Sequence, residues 1–321
     1  MNSPHAPEPT QTDRTLGALL AVATDRLNAA GLAYGHGTTC ARDEAIWLTL
    51  WQLGQPLDSD VDACADHPVT AEQWAAVLDL IAQRIATRQP AAYLTREAWL
   101  QGVPFYVDER VIVPRSFIAE LIANAEGAES IDGWLGEHTR RVLDLCTGNG
   151  SLAVLAALAW PDVSVDAADI SPDALAVARI NFERHGLQDR IQLIESDGWA
   201  QLPQRYDLIL CNPPYVSRAS MEALPPEYRA EPVISLDGGL QGSDDGMDFV
   251  RHLLHHALDH MNDEAVLVLE IGNEREHFER AFPTLLSYWL QTTSGEGPVL
   301  LLTREALEDW GAGASPSGDA P

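Results

Sequence analysis

The chain has 321 residues, 46% of them hydrophobic, enough to bury one large core and a smaller one, so two domains are expected. No run of eighteen apolar residues exists, and the Pro-rich stretch Met1 to Thr10 lacks the cationic and apolar regions of a secretory signal, which excludes a membrane-spanning helix and leads to a cytoplasmic protein. The formal net charge is -28 and all twenty basic residues are Arg. Such a field repels phosphate backbones and draws in basic proteins, so it weighs against a nucleic-acid target; an acidic bias of the whole proteome would explain the same charge. Cys40, Cys64, Cys146 and Cys211 lie far apart with no Cys-x-x-Cys pair, the pattern of reduced structural thiols rather than of zinc or a disulfide framework.

Residues 1–13 read as a disordered lead and 14–90 as a helical domain. Leu16, Leu19, Leu20, Ala23 and Leu27 keep helical spacing, as do Trp74, Val77, Leu78, Ile81 and Ile85; between them Ile46, Trp47, Leu50, Trp51 and Leu53 make another apolar-faced segment. Thr70 with Gln73 forms a capping box, and Pro90 closes that helix after Arg88. Trp99 to Val113 alternates around Gly102 and reads as a β-hairpin within a linker, 91–115. From Arg140 onward, strands near 141–145, 163–168, 191–195, 206–211 and 265–271 alternate with helical stretches, the pattern of a doubly wound, mostly parallel α/β domain over 116–309. The Gly/Ala/Ser/Pro tail, 310–321, reads as disordered.

The first of those strands runs through Asp144 into Thr147-Gly148-Asn149-Gly150-Ser151, and a helix follows. Glycines here let backbone approach a ligand, and Asp144 with the helix N-terminus lines the crevice at the carboxyl edge of the sheet, although a plain strand-end cap remains an alternative for Asp144. Gly-Asn-Gly lacks the third glycine of a dinucleotide site, and no Gly-Lys-Ser/Thr phosphate loop is present. The second strand ends in Asp169, nineteen residues after Gly150, where a carboxylate can take both ribose hydroxyls of an adenosine-containing cofactor. A nucleoside without phosphates fits best.

Asn212-Pro213-Pro214-Tyr215 ends the strand Tyr206 to Cys211. A nitrogen conjugated to a carbonyl is a poor nucleophile, so an enzyme alkylating it must hold its two hydrogens with acceptors that favour a pyramidal nitrogen. The Asn212 oxygen and the Pro213 carbonyl are two such acceptors, the prolines fix the backbone that presents them, and Tyr215 offers a flat face to the planar group. The same four residues also make an ordinary strand-ending turn. His252, His255, His256 and His260 have helical spacing, yet Val250, Leu253, Leu254, Ala257, Leu258 and Met261 fill the opposite arc, so an amphipathic helix with a wet histidine face accounts for them without a metal. Glu270 reads as a core acid paired with an Arg, and Arg115 as a salt-bridge partner.

Asp144 to Gly150, Asp169, Ser196-Asp197-Gly198 and Asn212 to Tyr215, together with Leu224-Pro225-Pro226-Glu227-Tyr228-Arg229-Ala230-Glu231-Pro232, Asp237-Gly238-Gly239, Asp245-Gly246 and Leu267 to Gly272, resemble the HemK-like, protein-glutamine branch of the class I S-adenosylmethionine-dependent methyltransferases over roughly Pro90 to Leu307. Pro90 to Thr95 and Phe105 to Ser116 resemble its PrmB type, which acts on the third protein of the large ribosomal subunit. The release-factor enzymes usually carry a second proline, an acid and Thr after Pro-Arg, where Ser116 and Phe117 stand here. The resemblance implies a seven-stranded sheet, S-adenosylmethionine as cofactor, a basic ribosomal protein as substrate, and an N-terminal domain that helps recognise it. It also implies that the Thr147 to Ser151 loop lies under the methionine part, that Asp197 and Gly198 meet the adenine, and that Arg115 belongs to the cleft rim. Related enzymes often place an aromatic directly after this acid; here Gly198 precedes Trp199, and the adenine-stacking residue stays unassigned. A DNA adenine methyltransferase uses the same acceptor logic but should bring a basic target-recognition region, and a non-catalytic assembly factor would not need an intact Asn-Pro-Pro-Tyr.

Overall fold

The computed structural model describes residues 14–202, 204–239 and 241–314; the expected disorder of 1–13 lies outside them. The chain forms two compact units, one of residues up to Arg96 plus Pro225–Ala230, the other of Glu97–Leu224 and Glu231 onward.

The first unit contains α1 (Leu16–Ala29), α2 (Ala41–Gln52), α3 (Ala71–Thr87) and the short α4 (Ala91–Thr95). The stripes expected around α1 and α3 form its core, with Leu19, Ala23, Leu27, Val77 and Ile81 fully buried; in α2 the inward face is instead Ala45, Leu48 and Leu50, and Trp51, expected on the apolar face, is exposed. Thr15 Oγ1 caps α1 by accepting from Ala18 N at 3.2 Å. The α3 capping box is complete, Gln73 N donating to Thr70 Oγ1 at 3.2 Å and Thr70 N to Gln73 Oε1 at 3.0 Å. That helix stops where Arg88 turns left-handed, φ 61°. Apolar periodicity gave no hint that Arg84, on the inner face of α3, is only 1% exposed. Its Nε donates to Glu44 Oε1 at 2.8 Å, and its Nη1 lies 3.7 Å from Glu227 Oε1. Burial pushes the Glu44 carboxyl up, against the pull of Arg84.

In the second unit, β1 (Ala98–Leu100) and β2 (Val103–Phe105) make a small antiparallel hairpin around Gly102. It is shorter than the alternation to Val113 implied: after Phe105 the backbone is held by a side chain, with Tyr106 N donating to Asn181 Oδ1 at 2.7 Å. The main sheet is built from β3 (Arg141–Leu145), β4 (Ser164–Asp169), β5 (Ile191–Glu195), β6 (Tyr206–Cys211), β7 (Met261–Glu270), β8 (Tyr288–Thr292) and β9 (Gly295–Thr303), in the order β5-β4-β3-β6-β7-β9-β8. The first five are parallel and β9 and β8 add antiparallel. Alternate residues feed two cores, one on each face. Val142, Leu208, Leu210 and Val268 pack with α5 (Ile118–Ile122), α6 (Ser151–Ala159) and α7 (Pro172–Arg184). Leu143, Leu145, Ile209 and Leu269 pack with α9 (Asp248–His256), α10 (Arg275–Ala281) and α11 (Arg304–Ala314). The short α8 (Arg218–Ala223) follows the end of β6.

The C-terminal helix corrects the expected tail from 310: α11 runs to Ala314, because Ala306 and Leu307 are buried and Trp310 packs at the edge of the core, an anchorage that outweighs a glycine cost of about 1 kcal/mol at Gly311. Residues 315–321 lie outside the described ones. Among the described residues no helix is long and apolar enough to cross a membrane.

Candidate functional site

Strand β3 leaves the sheet through a turn in which Cys146, Gly148 and Gly150 all have positive φ, at 62°, 56° and 82°. The two glycines serve different ends. A Cβ on Gly150 would sit 2.5 Å from Phe182 Cε1 and 3.1 Å from Ala178 Cβ, so its absence lets α6 close on α7; a Cβ on Gly148 would meet nothing within 4 Å, because that glycine borders open space. The turn is held by its acids. Gly148 N donates to Asp169 Oδ2 and Ser171 N to Asp169 Oδ1, both at 2.9 Å, and burial pushes the Asp169 carboxyl up. Asp144 Oδ2 accepts from Thr147 Oγ1 at 2.6 Å and from Ala153 N at 2.9 Å, so Asp144 caps its own helix. Its Oδ1 is buried with no partner among the described residues, and burial pushes the carboxyl up to about 7. Asn149 Oδ1 accepts from Ser151 N at 3.2 Å, while Asn149 O accepts from Asn181 Nδ2 at 2.8 Å. Asn181, fully buried and also bonded to both backbone groups of Tyr106, braces the loop from behind. Only its polarity on an apolar helix face could have marked it in the sequence.

A cavity of about 230 Å³ opens at this edge of the sheet. Gly148, Asp169, Asp197, Gly198, Asn212 and Pro214 line it, so four separate segments of the expected site converge. Asp144, Thr147, Asn149, Gly150 and Ser151 stand behind this wall in the turn, and Pro213 and Tyr215 flank the lining Pro214 in the chain without forming the wall themselves. Ile112, Ile170, Asp237, Asp248 and Phe249 also line the cavity and went unassigned in the sequence. Of these, Ile112, Ile170 and Phe249 offer apolar surface to an aromatic ring. Trp199 does not: it is 5% exposed, stacks on His260 at 4.6 Å, and donates its indole N–H to Leu253 O at 3.1 Å. A larger open groove of about 650 Å³ along β5 contains none of the expected site residues.

The backbone after Asn-Pro-Pro-Tyr is clamped. Val216 N donates to Leu236 O at 2.9 Å and Gly238 N to Val216 O at 3.1 Å. A Cβ on Gly246 would lie 2.3 Å from Tyr215 O, and one on Gly238 would lie 2.0 Å from Gly246 O, so the Asp-Gly-Gly and Asp-Gly pairs exist for close backbone approach. Glu270 meets Ser116 Oγ at 2.5 Å and Phe117 N at 2.9 Å rather than pairing with an Arg, and burial pushes it up to about 7. Arg115 forms the salt bridge, gripping Glu231 with Nη1 to Oε1 at 2.6 Å and Nη2 to Oε2 at 2.7 Å. His252, His255 and His256 are exposed on α9 opposite the buried Val250, Leu253 and Leu254. Among the described residues no three His, Cys, Asp or Glu side chains are grouped to hold a metal.

The methyltransferase small domain family matches residues 129–224. The ribosomal protein uL3 glutamine methyltransferase of Bordetella pertussis is 50% identical over 297 residues, 92% of this chain and 96% of that protein. Its counterpart from Burkholderia pseudomallei is 48% identical over 302 residues, again 92% and 96%. The one from Bradyrhizobium diazoefficiens is 47% identical over 287 residues, 88% of each chain.

Proposed function

Since the chain belongs to the ribosomal protein uL3 glutamine methyltransferases, we propose that the cavity at the carboxyl edge of β3, β4 and β6 is its active centre. The enzyme transfers a methyl group from S-adenosylmethionine to a glutamine side-chain amide of ribosomal protein uL3. The observation that carries the site assignment is that Asn212 and Pro214 share one cavity with Gly148, Asp169 and Asp197. The lining suits the cofactor: open space over Gly148, a carboxylate at Asp169 with a lone pair left beyond its backbone donors, and apolar surface at Ile170 and Phe249.

Bound S-adenosylmethionine supplies an electrophilic methyl on a cationic sulfonium, so the protein's task is position and desolvation more than strong base catalysis. Asp169 holds the ribose hydroxyls, Asp197 and Gly198 the adenine edge, and the Thr147–Ser151 loop the methionine part. The Asn212 side-chain oxygen and the Pro213 carbonyl accept the two hydrogens of the glutamine amide, and Tyr215 packs on the amide plane. The proton leaves to solvent after transfer. A ribosomal protein as substrate supports a cytoplasmic location, and the charge of -28 suits a basic partner.

The test is Asn212→Ala. Removing a transition-state hydrogen bond lowers turnover by about a hundredfold or more, while cofactor affinity stays within a few-fold. Turnover retained in that variant sinks the assignment.

A further inference from the structure

Glu270 is a buried carboxyl for which the proposed chemistry has no use, at the carboxyl end of β7. Its Oε2 accepts from Ser116 Oγ at 2.5 Å, Phe117 N at 2.9 Å and Ile118 N at 3.5 Å. Its Oε1 turns the other way and accepts from the Tyr215 hydroxyl at 3.4 Å. Two residues further on, Gly272 lies directly against the same ring: a Cβ there would come within 2.8 Å of Tyr215 Cε2 and 2.9 Å of Tyr215 Oη. The ring is therefore seated on a glycine, tethered at its hydroxyl by a carboxyl, and fixed at its backbone by the close approach of Gly246.

All four groups around Glu270 are donors, so the carboxyl is held in one orientation as an acceptor. A rigid acceptor buried on a strand end fixes what it holds more tightly than a loop side chain could. We infer that Glu270 is a positioning residue for methyl transfer, acting through the Tyr215 hydroxyl to hold the ring at the angle that packs on the acceptor amide. The inference rests on the reading of Tyr215 given above. The 3.4 Å link is long for a hydrogen bond between oxygens, as such contacts often are before substrate closes a site.

The charged groups facing this pair are Arg115 and Glu231, which are bonded to each other. Burial holds the Glu270 carboxyl up to about 7. Its acceptor strength toward Tyr215 therefore grows as pH rises through neutrality, and kcat should rise with it.

Turnover and cofactor affinity are measured for Tyr215→Ala, Tyr215→Phe, Glu270→Gln and the Tyr215→Phe/Glu270→Gln double variant on the full chain. Tyr215→Ala tests the underlying reading: kcat left intact there overturns the role of Tyr215 itself. With that role secure, Tyr215→Phe and Glu270→Gln should each lower kcat about tenfold without changing S-adenosylmethionine affinity, and the double variant should be no worse than either single one. Losses that multiply to about a hundredfold, or unchanged kcat in Glu270→Gln, overturn the inference. Should Glu270→Gln fail to fold, the pH profile of Tyr215→Phe decides: loss of the kcat step near pH 7 supports the tether, and a profile identical to the parent's overturns it.

Discussion

Glu227 Oε1 lies 2.8 Å from Nε of Arg88, inside the helical unit, although the chain on either side of residues 225–230 belongs to the other unit. Glu227 is fully buried, and it and Glu44 flank Arg84, so two carboxylates and a guanidinium are withdrawn from water together. Removing one partner of a buried set leaves the others without compensation, which typically costs about 3–5 kcal/mol. Glu227→Ala should lower unfolding stability by about that amount in denaturant titration. Asp62→Ala breaks the exposed pair with Arg42, whose side chains are 53% and 84% exposed, and should change stability by less than about 0.5 kcal/mol.

Gly148 and Gly150 should respond differently to the same change. Gly150→Ala drives a methyl into Phe182 at positive φ, and should destabilise by about 1–3 kcal/mol with cofactor affinity reduced only as far as folding is. Gly148→Ala puts its methyl into open space beside the cavity, so calorimetry should show weakened S-adenosylmethionine binding with a smaller loss of melting temperature.

Asp169 is both a loop brace, through Gly148 N and Ser171 N, and the proposed ribose ligand. Asp169→Ala should weaken S-adenosylmethionine binding by about 1.5–3 kcal/mol, roughly ten- to a hundredfold, the range for hydrogen bonds to a charged group. Unchanged affinity would move the ribose contact elsewhere.

Asp144 predicts a pH dependence with a definite sign. Its folded carboxyl is pushed up to about 7 from an ordinary 3.8, so between roughly pH 4 and 7 the folded protein holds a proton that the unfolded chain has lost. The group's stabilising contribution is full below pH 4 and is lost as pH rises to about 7. Glu270 titrates with the same sign but is shared by the parent and an Asp144→Asn variant. The stability of the cofactor-free parent relative to Asp144→Asn should therefore fall by a few kcal/mol between pH 4 and 8 and then level off. A difference that stays flat over that range would show that Asp144 is ionised in the fold.

The elements that were legible in the sequence are those whose neighbours are local or repetitive. The stripe through Leu19, Ala23 and Leu27, the Thr70–Gln73 box, and the five parallel strands each carry a period or a cap within a dozen residues. Strands β8 and β9 were not placed, because Tyr288–Thr292 mixes polar and apolar residues and Gly295–Thr303 ends in an unbroken apolar run, neither of which alternates clearly. At the site, Gly148, Asp169 and Asn212 stood out because their chemistry is tied to strand ends. Ile112, Asp237 and Phe249 did not: the first two lie in stretches that carry the family resemblance but point to no role by themselves, and Phe249 reaches the cavity only through long-range folding. The partners of Glu270 were misjudged for the same reason: Ser116 is remote in sequence and a charge invites pairing with a charge.

The split membership of the helical unit puts an order in time on its assembly. A ribosome adding about 5–20 residues per second completes residue 96 roughly 6–26 s before it reaches Pro225, with the 129 residues from 97 to 225 in between. Throughout that interval Glu44 is the one carboxylate of the folded set around Arg84 that exists, and the Glu227 that faces both Arg84 and Arg88 has not been made. A chain released before Pro225 would keep this unit permanently incomplete, with Arg84 and Arg88 deprived of the Glu227 carboxylate, even where Asn212 to Tyr215 had already been made.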